Sequence, residues 1–434
     1  MPRIIKNASQ LAVTPQRKTA LAILEAGYRA IQIKKILKTT VLKEGGVLKI
    51  KGKTYDLSQY RRIAVIGIGK CSLEAGEYLE KLLGDKLSGG IILDTRRANL
   101  KKLISVKGDH PLPSVKNIAY TKKILSYLDI LNPSEDLVIF VVSGGGSSLF
   151  CMPEGIALSD YTKLTADLHK SGATIHELNC VRKHLESIKG GKMAKLLWPL
   201  ETIVLYFSDV LSTTDNKNLK TIASGPLYRD TTTNTQAKQI LKKYRLWEKY
   251  KGRIKMFSET PKVKKNFSHV HHHLLLTNST ALLAMAKTAS SMELRPKILT
   301  AAFESRARDA FVKIRNASRA YPRSNLFLAG GETTVKVEGR GRGGRNQEAV
   351  LGALERIAKN ELFVSTASDG IDFTLHAGAI ADNTTKRKAI KKNLDSSAYL
   401  AENDSYTFFK KTGDYIKTGK TGSNIADLLL YYKK

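Results

Sequence analysis

Apolar runs of four to eight residues alternate with amphipathic stretches along the whole chain, the grammar of an α/β protein with largely parallel sheets. Residues 14–38 carry apolar positions at helical spacing, with Thr14 and Pro15 suited to the N-cap and first helical position. Residues 62–68 (RIAVIGI) form a β-branched run that stops at Gly69, and KCSLEAGEYLEKLL behind it reads as a helix. The same strand, turn and helix order recurs at 136–142 (DLVIFVV), 202–207 (TIVLYF) and 362–367 (LFVSTA). Residues 238–265 are lysine-rich and poor in strand signals, so the division expected is an N-terminal domain over 1–240, a basic connection over 241–268 and a second domain over 269–434. That second domain would open with HVHHHLLLTNST.

Composition narrows the class. The 434 residues, 42% of them apolar and 26% charged, suffice for two or three packed domains and argue against wholesale disorder. Three cysteines without a CxxC pair argue against a disulfide framework or a thiolate zinc site, and a reducing cytosol fits best. No signal peptide or membrane span is legible. Lys plus Arg outnumber Asp plus Glu by 72 to 39, a net charge of +33 that attracts polyanions. The basic residues are spread through helical faces, which points to solvated surface and weakens a nucleic-acid reading.

Ligands of open α/β sheets bind beyond the carboxyl ends of the strands, which directs attention to the loops there. Ser143, Gly144, Gly145, Gly146, Ser147 and Ser148 follow a fully apolar run. Three glycines let backbone N–H groups converge on a phosphate or carboxylate, at an entropic cost that a plain turn would not need. Lys70 follows Gly67 and Gly69 in a motif that fails the GxGxxG dinucleotide pattern, because Ser72 stands at the third position. A surface lysine and a phosphoryl-neutralising lysine fit that segment equally. The stretch 339–345 (GRGRGGR) occurs once, between a strand and a helix, so it reads as a structured turn whose arginines face an anion at the helix N-terminus, not as an RNA-binding repeat. Gly419-Lys420-Thr421 lacks P-loop spacing. Asp209 and Asp369 each lie just past an apolar strand, where helix capping and base or metal work are equally common. The histidines at 269, 271, 272 and 273 read as structural, and the cysteines as small buried apolar groups.

The runs VSGGGSSLFCMPEG, SGATIHELNCVRKHLESIKGGKMA, SDV, IASGP, GGETTVKVEGRGRGGRNQE, ASDGID, AGAIAD, NDSY and TGSN occur in an order that resembles the class II glycerate 2-kinases, the MOFRL family, over about residues 15–430. The resemblance implies a Rossmann-like parallel-sheet N-terminal domain, a smaller α/β C-terminal MOFRL domain and an active site in the cleft between them. It implies ATP-dependent phosphorylation of D-glycerate to 2-phosphoglycerate with Mg2+ or a similar divalent ion, and leaves a homodimer open. Carried over by position, Lys70 and Arg345 would stabilise the transferring phosphoryl group and hold glycerate, and Asp209 would serve as base or metal carboxylate. The stretch from Ser143 to Ser148 would bind carboxylate or phosphate, with Glu332, Thr333, Asp369 and Asn424 lining the site. The sequence departs from the family pattern at 211–215, Ser114, Ser368, Phe373 and Lys420. A hydroxypyruvate reductase and a basic nucleic-acid-binding protein on a kinase-like fold are the rival expectations.

Overall fold

The computed structural model describes residues 2–208 and 219–434. The chain divides into two compact units. The first, residues 36–208 and 219–275, is built on a six-stranded sheet. Its strands are β1 (Arg62–Ile68), β2 (Leu87–Asp94), β3 (Leu103–Lys107), β4 (Asp136–Ser143), β5 (Glu201–Phe207) and β6 (Val270–Leu276). They lie in the order β3-β2-β1-β4-β5-β6, and the pairs from β3 to β5 are parallel. The order reverses direction between β1 and β4, so the loops after these two strands sit side by side at a topological switch point. Both strands are buried almost throughout, as parallel strands covered on both faces must be. Ile66, Ile68, Phe140, Val142, Val204 and Tyr206 share one core, and a second cluster gathers Leu164, Leu178, Val181, Leu241 and Tyr250. A small antiparallel sheet (Val41–Glu44, Val47–Ile50, Lys53–Asp56) belongs to the same unit.

The second unit, residues 2–35 and 276–434, carries β7 (Pro296–Arg306), β8 (Leu326–Thr334), β9 (Glu361–Ala367), β10 (Gly378–Asp382), β11 (Tyr415–Ile416) and β12 (Asp427–Lys433). Their order is β7-β8-β12-β9-β10-β11; β7 and β8 are parallel and every other pair is antiparallel. Phe311, Phe327, Phe363 and Tyr431 meet edge-on or stacked in its core.

The packing draws different boundaries from those expected at 240 and 268. The stretch HVHHHLLL forms the edge strand β6 of the first sheet and does not open a new domain. Residues 241–268 are no spacer, since Leu246 and Tyr250 are buried in the first unit's helical cluster. The helix Pro15–Ala30 belongs to the second unit, where the fully buried Arg17 bonds Asp382 through Nε and Nη2 and Asp414 through Nη1. Its expected start holds, with Thr14 Oγ1 accepting from Arg17 N, but the helix ends at Ala30 and a separate one runs Ile33–Thr40.

Candidate functional site

In the first unit the turn after β1 crosses the turn after β4. Gly69 takes φ +111°, Lys70 N donates to Gly144 O (2.9 Å) and Cys71 N donates to Ser143 Oγ (3.1 Å). Gly145, at φ +84°, opens the short helix Gly146–Leu149, whose first N–H groups have no intrahelical acceptor. A side chain on Gly145 would meet Lys70 Cγ at 3.1 Å and His110 Cδ2 at 3.2 Å, so the lysine stem and the imidazole flank the glycine turn. Lys70 is partly exposed, and its ammonium has no hydrogen-bond or ion-pair partner among the described residues. Burial, reinforced by the Lys70 charge, lowers the His110 pKa to about 4 and keeps the ring neutral. The cradle is braced from below: Ser147 Oγ lies 3.0 Å from Ser224 Oγ, which donates to Asn179 Oδ1 (2.9 Å). Ser224 sits between Ala223 and Gly225, and all three have positive φ, a run of strained backbone at the IASGP turn. Thus Lys70 and Ser143 to Ser148 are brought together, and beside them stand His110, Asn179 and Ser224, which the sequence reading did not single out, although Asn179 and Ser224 lie inside the motifs SGATIHELNCVRKHLESIKGGKMA and IASGP. Asp209 lies outside the described residues, as do the departures at 211–215.

The second unit gathers Arg345, Glu332 and a set of carboxylates. Arg345 donates through Nε (2.7 Å) and Nη2 (3.0 Å) to Asp427, the first residue of β12, and through Nη1 to Glu332 of β8. These strands adjoin, with Gly331 opposite Asp427 in register. Although burial opposes the charged guanidinium, the two carboxylates raise the Arg345 pKa above its ordinary value. Burial pushes Asp427 up to about 6 against the pull of Arg345. The helix behind the glycine turn, Arg345–Leu354, does not present its N-terminus to a foreign anion as the sequence suggested. Asp372 fills it, accepting from Asn346 N (3.0 Å) and Gln347 N (2.9 Å). The turn itself is structured: Gly341 N donates to Glu402 O (2.8 Å), and Asn403 Oδ1 accepts from Glu338 N and Gly339 N. A side chain on Gly343 or Gly344 would collide with Ser405 or Asp372, which explains glycine there.

Asp369 and Asn424 also fall in the second unit. Asp369 Oδ1 accepts from Ile371 N and Asn424 Oδ1 from Ala426 N, so both carboxylate and amide brace their own turns. Thr333 is buried, and its hydroxyl has no partner among the described residues. Ser114 and Ser368, two departures from the family pattern, are structurally satisfied: Ser114 caps Val115–Asp129 and Ser368 Oγ accepts from Ile425 N (2.9 Å). Phe373 takes φ +56° with 92% of its surface exposed. Three histidines of the run have side-chain partners, His271 with Glu201, His272 with Tyr206 and His273 with Tyr55. Among the described residues no group of three or more His, Cys, Asp or Glu side chains is arranged to hold a metal ion, and no helix is long and apolar enough to cross a membrane.

Two family models match the chain, the domain of unknown function DUF4147 over residues 19–259 and the MOFRL family over residues 325–427. A glycerate 2-kinase of Pyrococcus horikoshii is 36% identical over 423 residues, covering 93% of this chain and 92% of that protein. The chain belongs to the MOFRL family of glycerate 2-kinases. Its fold is also that of the crystallised Thermotoga maritima glycerate kinase, with a TM-score of 0.83 and 32% identity over 96% of this chain and 99% of that one. A further family relative, from Agrobacterium vitis, bears the name "Putative hydroxypyruvate reductase"; it is 33% identical over 85% of this chain and 86% of that protein. Within the family, the Lys70 turn and the serine-glycine loop fall in the DUF4147 match, and Glu332, Arg345, Asp369 and Asn424 in the MOFRL match.

Proposed function

We propose that the chain catalyses ATP-dependent phosphorylation of D-glycerate to 2-phosphoglycerate. The observation that carries this reading is the Lys70 ammonium, without a partner among the described residues, beside the Gly144–Gly146 turn, in a chain whose family relatives are named glycerate 2-kinases. A phosphoryl group in transfer spreads negative charge over its equatorial oxygens, and fixed cations with convergent N–H donors stabilise that charge. Lys70 supplies a compact charge, and the Ser143 to Ser148 loop supplies donors that need no reorganisation. Arg345 offers the donor geometry that suits the carboxylate of glycerate. In the reaction the 2-hydroxyl oxygen forms a bond to the γ-phosphorus, the bond to the β–γ bridging oxygen breaks, and ADP leaves. The hydroxyl proton goes to a base, the role proposed for Asp209. The family also implies a divalent ion; the described carboxylates do not form a cage for it, since Asp427 is engaged by Arg345 and Asp372 caps a helix.

The test is to incubate the purified protein with Mg-ATP and D-glycerate and identify the phosphorylated isomer. Lys70→Ala is expected to lower kcat by at least ~10²-fold, the scale of removing one transition-state charge stabiliser. Formation of 3-phosphoglycerate, or wild-type turnover of the variant, would overturn the corresponding part of the reading. Hydroxypyruvate with NADH in the absence of ATP tests the reductase that the Agrobacterium name suggests. Against it stands Ser72, which occupies the third glycine position of a dinucleotide turn and donates its hydroxyl to Gly69 O (2.5 Å).

A further inference from the structure

The two carboxylates on Arg345 are not equivalent. Asp427 is 1% exposed, takes two of the guanidinium nitrogens in a bidentate pair and is itself held by Asn346 Nδ2 (2.9 Å). Glu332 is 51% exposed and takes only Nη1, with no other hydrogen-bond partner for its carboxylate among the described residues. A guanidinium is a planar fork with more than one donating edge. The Nε/Nη2 edge is fixed into the protein by Asp427, and the remaining donor at Nη1 lies on the solvent side under a single exposed carboxylate. Arg345 keeps 32% of its side-chain surface exposed.

We infer that Glu332 is a displaceable internal anion: it occupies the outer donor of Arg345, Nη1, in the free protein and yields it to the carboxylate or phosphoryl oxygens of a ligand. This deepens the kinase proposal above by assigning Glu332 to competition with the substrate instead of contact with it. Asp427 is then a positioning residue that keeps the guanidinium plane fixed while its outer edge exchanges partners. The exchange costs little because an exposed ion pair is weak, whereas a ligand that reaches Nη1 together with the second N–H of Nη2 gains a bidentate, charge-assisted contact. Glu332 also selects against weak monodentate anions, which cannot outbid it. The backbone explains why the two carboxylates differ: Gly331 faces Asp427 across the β8–β12 pair, and Glu332 extends one position beyond it toward the strand end.

The experiment measures binding of sodium sulfate and, separately, D-glycerate to the full chain by titration calorimetry, for the wild type, Glu332→Gln, Arg345→Lys and the double variant. Glu332→Gln is expected to tighten both anions about fivefold, the scale of releasing one exposed ion pair. In the Arg345→Lys background the same change is expected to tighten them by less than twofold, because lysine lacks the second donor edge. Weaker or unchanged sulfate binding by Glu332→Gln overturns the inference, as does a gain that persists in the Arg345→Lys background, which would reflect the removed charge alone. Absence of measurable sulfate binding to both wild type and Glu332→Gln overturns it too. Matching thermal melts exclude misfolding of the variant. Sulfate separates the two proposals: tightened sulfate with no glycerate binding sinks the kinase reading and keeps this one, while glycerate phosphorylation without tightening does the reverse.

Discussion

Gly69→Ala tests the crossing of the two loops that position Lys70. The new Cβ would lie 2.5 Å from Ser143 O and 2.8 Å from Ser143 C, backbone atoms that cannot rotate away. Ordinary carbon contacts are about 3.5 Å, so the turns must part by roughly 1 Å. Alanine at φ +111° adds about 1–3 kcal/mol of backbone strain. Parting the turns also loosens the bonds from Lys70 N to Gly144 O and from Cys71 N to Ser143 Oγ, each worth about 1 kcal/mol. These contributions overlap, and the expected loss is about 3–4 kcal/mol, a large share of a typical domain's stability of about 5–15 kcal/mol. Because the displaced groups are the lysine and the serine-glycine cradle, kcat should also fall about 10²-fold, as it does for ångström-scale misplacement of catalytic groups. Urea denaturation gives the first quantity and steady-state kinetics, at a temperature where the variant remains folded, the second. Lys70→Ala is the contrast, expected to cost turnover with little stability. A Gly69→Ala protein with less than 1 kcal/mol of destabilisation and unaltered kcat would show that the two turns do not depend on one another.

Phe373→Gly should stabilise the fold by about 1 kcal/mol in urea melts, because a bulky residue at φ +56° pays left-handed strain and its exposed ring repays nothing. Arg17→Met should destabilise by about 3–5 kcal/mol, since it removes the guanidinium shared by the buried Asp382 and Asp414 and leaves Asp382 with backbone N–H donors and Asp414 with Lys388 alone; a melt within 1 kcal/mol of wild type would contradict that. Burial, with neighbouring charges, lowers His269, His272 and His273 to pKa values of about 4. The unfolded chain binds those protons from about pH 6.5 downward while the folded one does not, so stability is full above 6.5 and falls as pH drops toward 4. Each site accounts for up to about 3 kcal/mol, less where neighbouring histidines couple. Denaturation curves from pH 7 to 4.5 measure the loss, and a flat profile would refute it.

Much of the candidate site was legible because strand-end loops are local features. The apolar run 62–68 stopping at Gly69 and the run before SGGGSS identified two strands and the turns behind them. Parallel strands at a switch point bring such turns together without further information. The Arg345 environment was not legible. Its partners stand 13 and 82 residues away, and only the β8–β12 pairing sets Glu332 and Asp427 beside it. Asp372 was not singled out in the sequence, because the bonds from Asn346 N and Gln347 N that place it at a helix N-terminus span 26 and 25 residues.

The amino-acid order by itself determined the α/β class, the positions of the apolar strands, the Thr14 cap and the family, because periodicity, capping and motif order are properties of neighbouring residues. Only tertiary structure decided which sheet received β6, which unit received the helix Pro15–Ala30, and which carboxylates Arg17 and Arg345 would meet. The histidine run could edge either sheet on pattern alone, and Arg17 finds Asp382 365 residues later. Edge pairing and buried charge compensation depend on groups that the chain brings together only after its local elements have formed, and no window of sequence contains both partners.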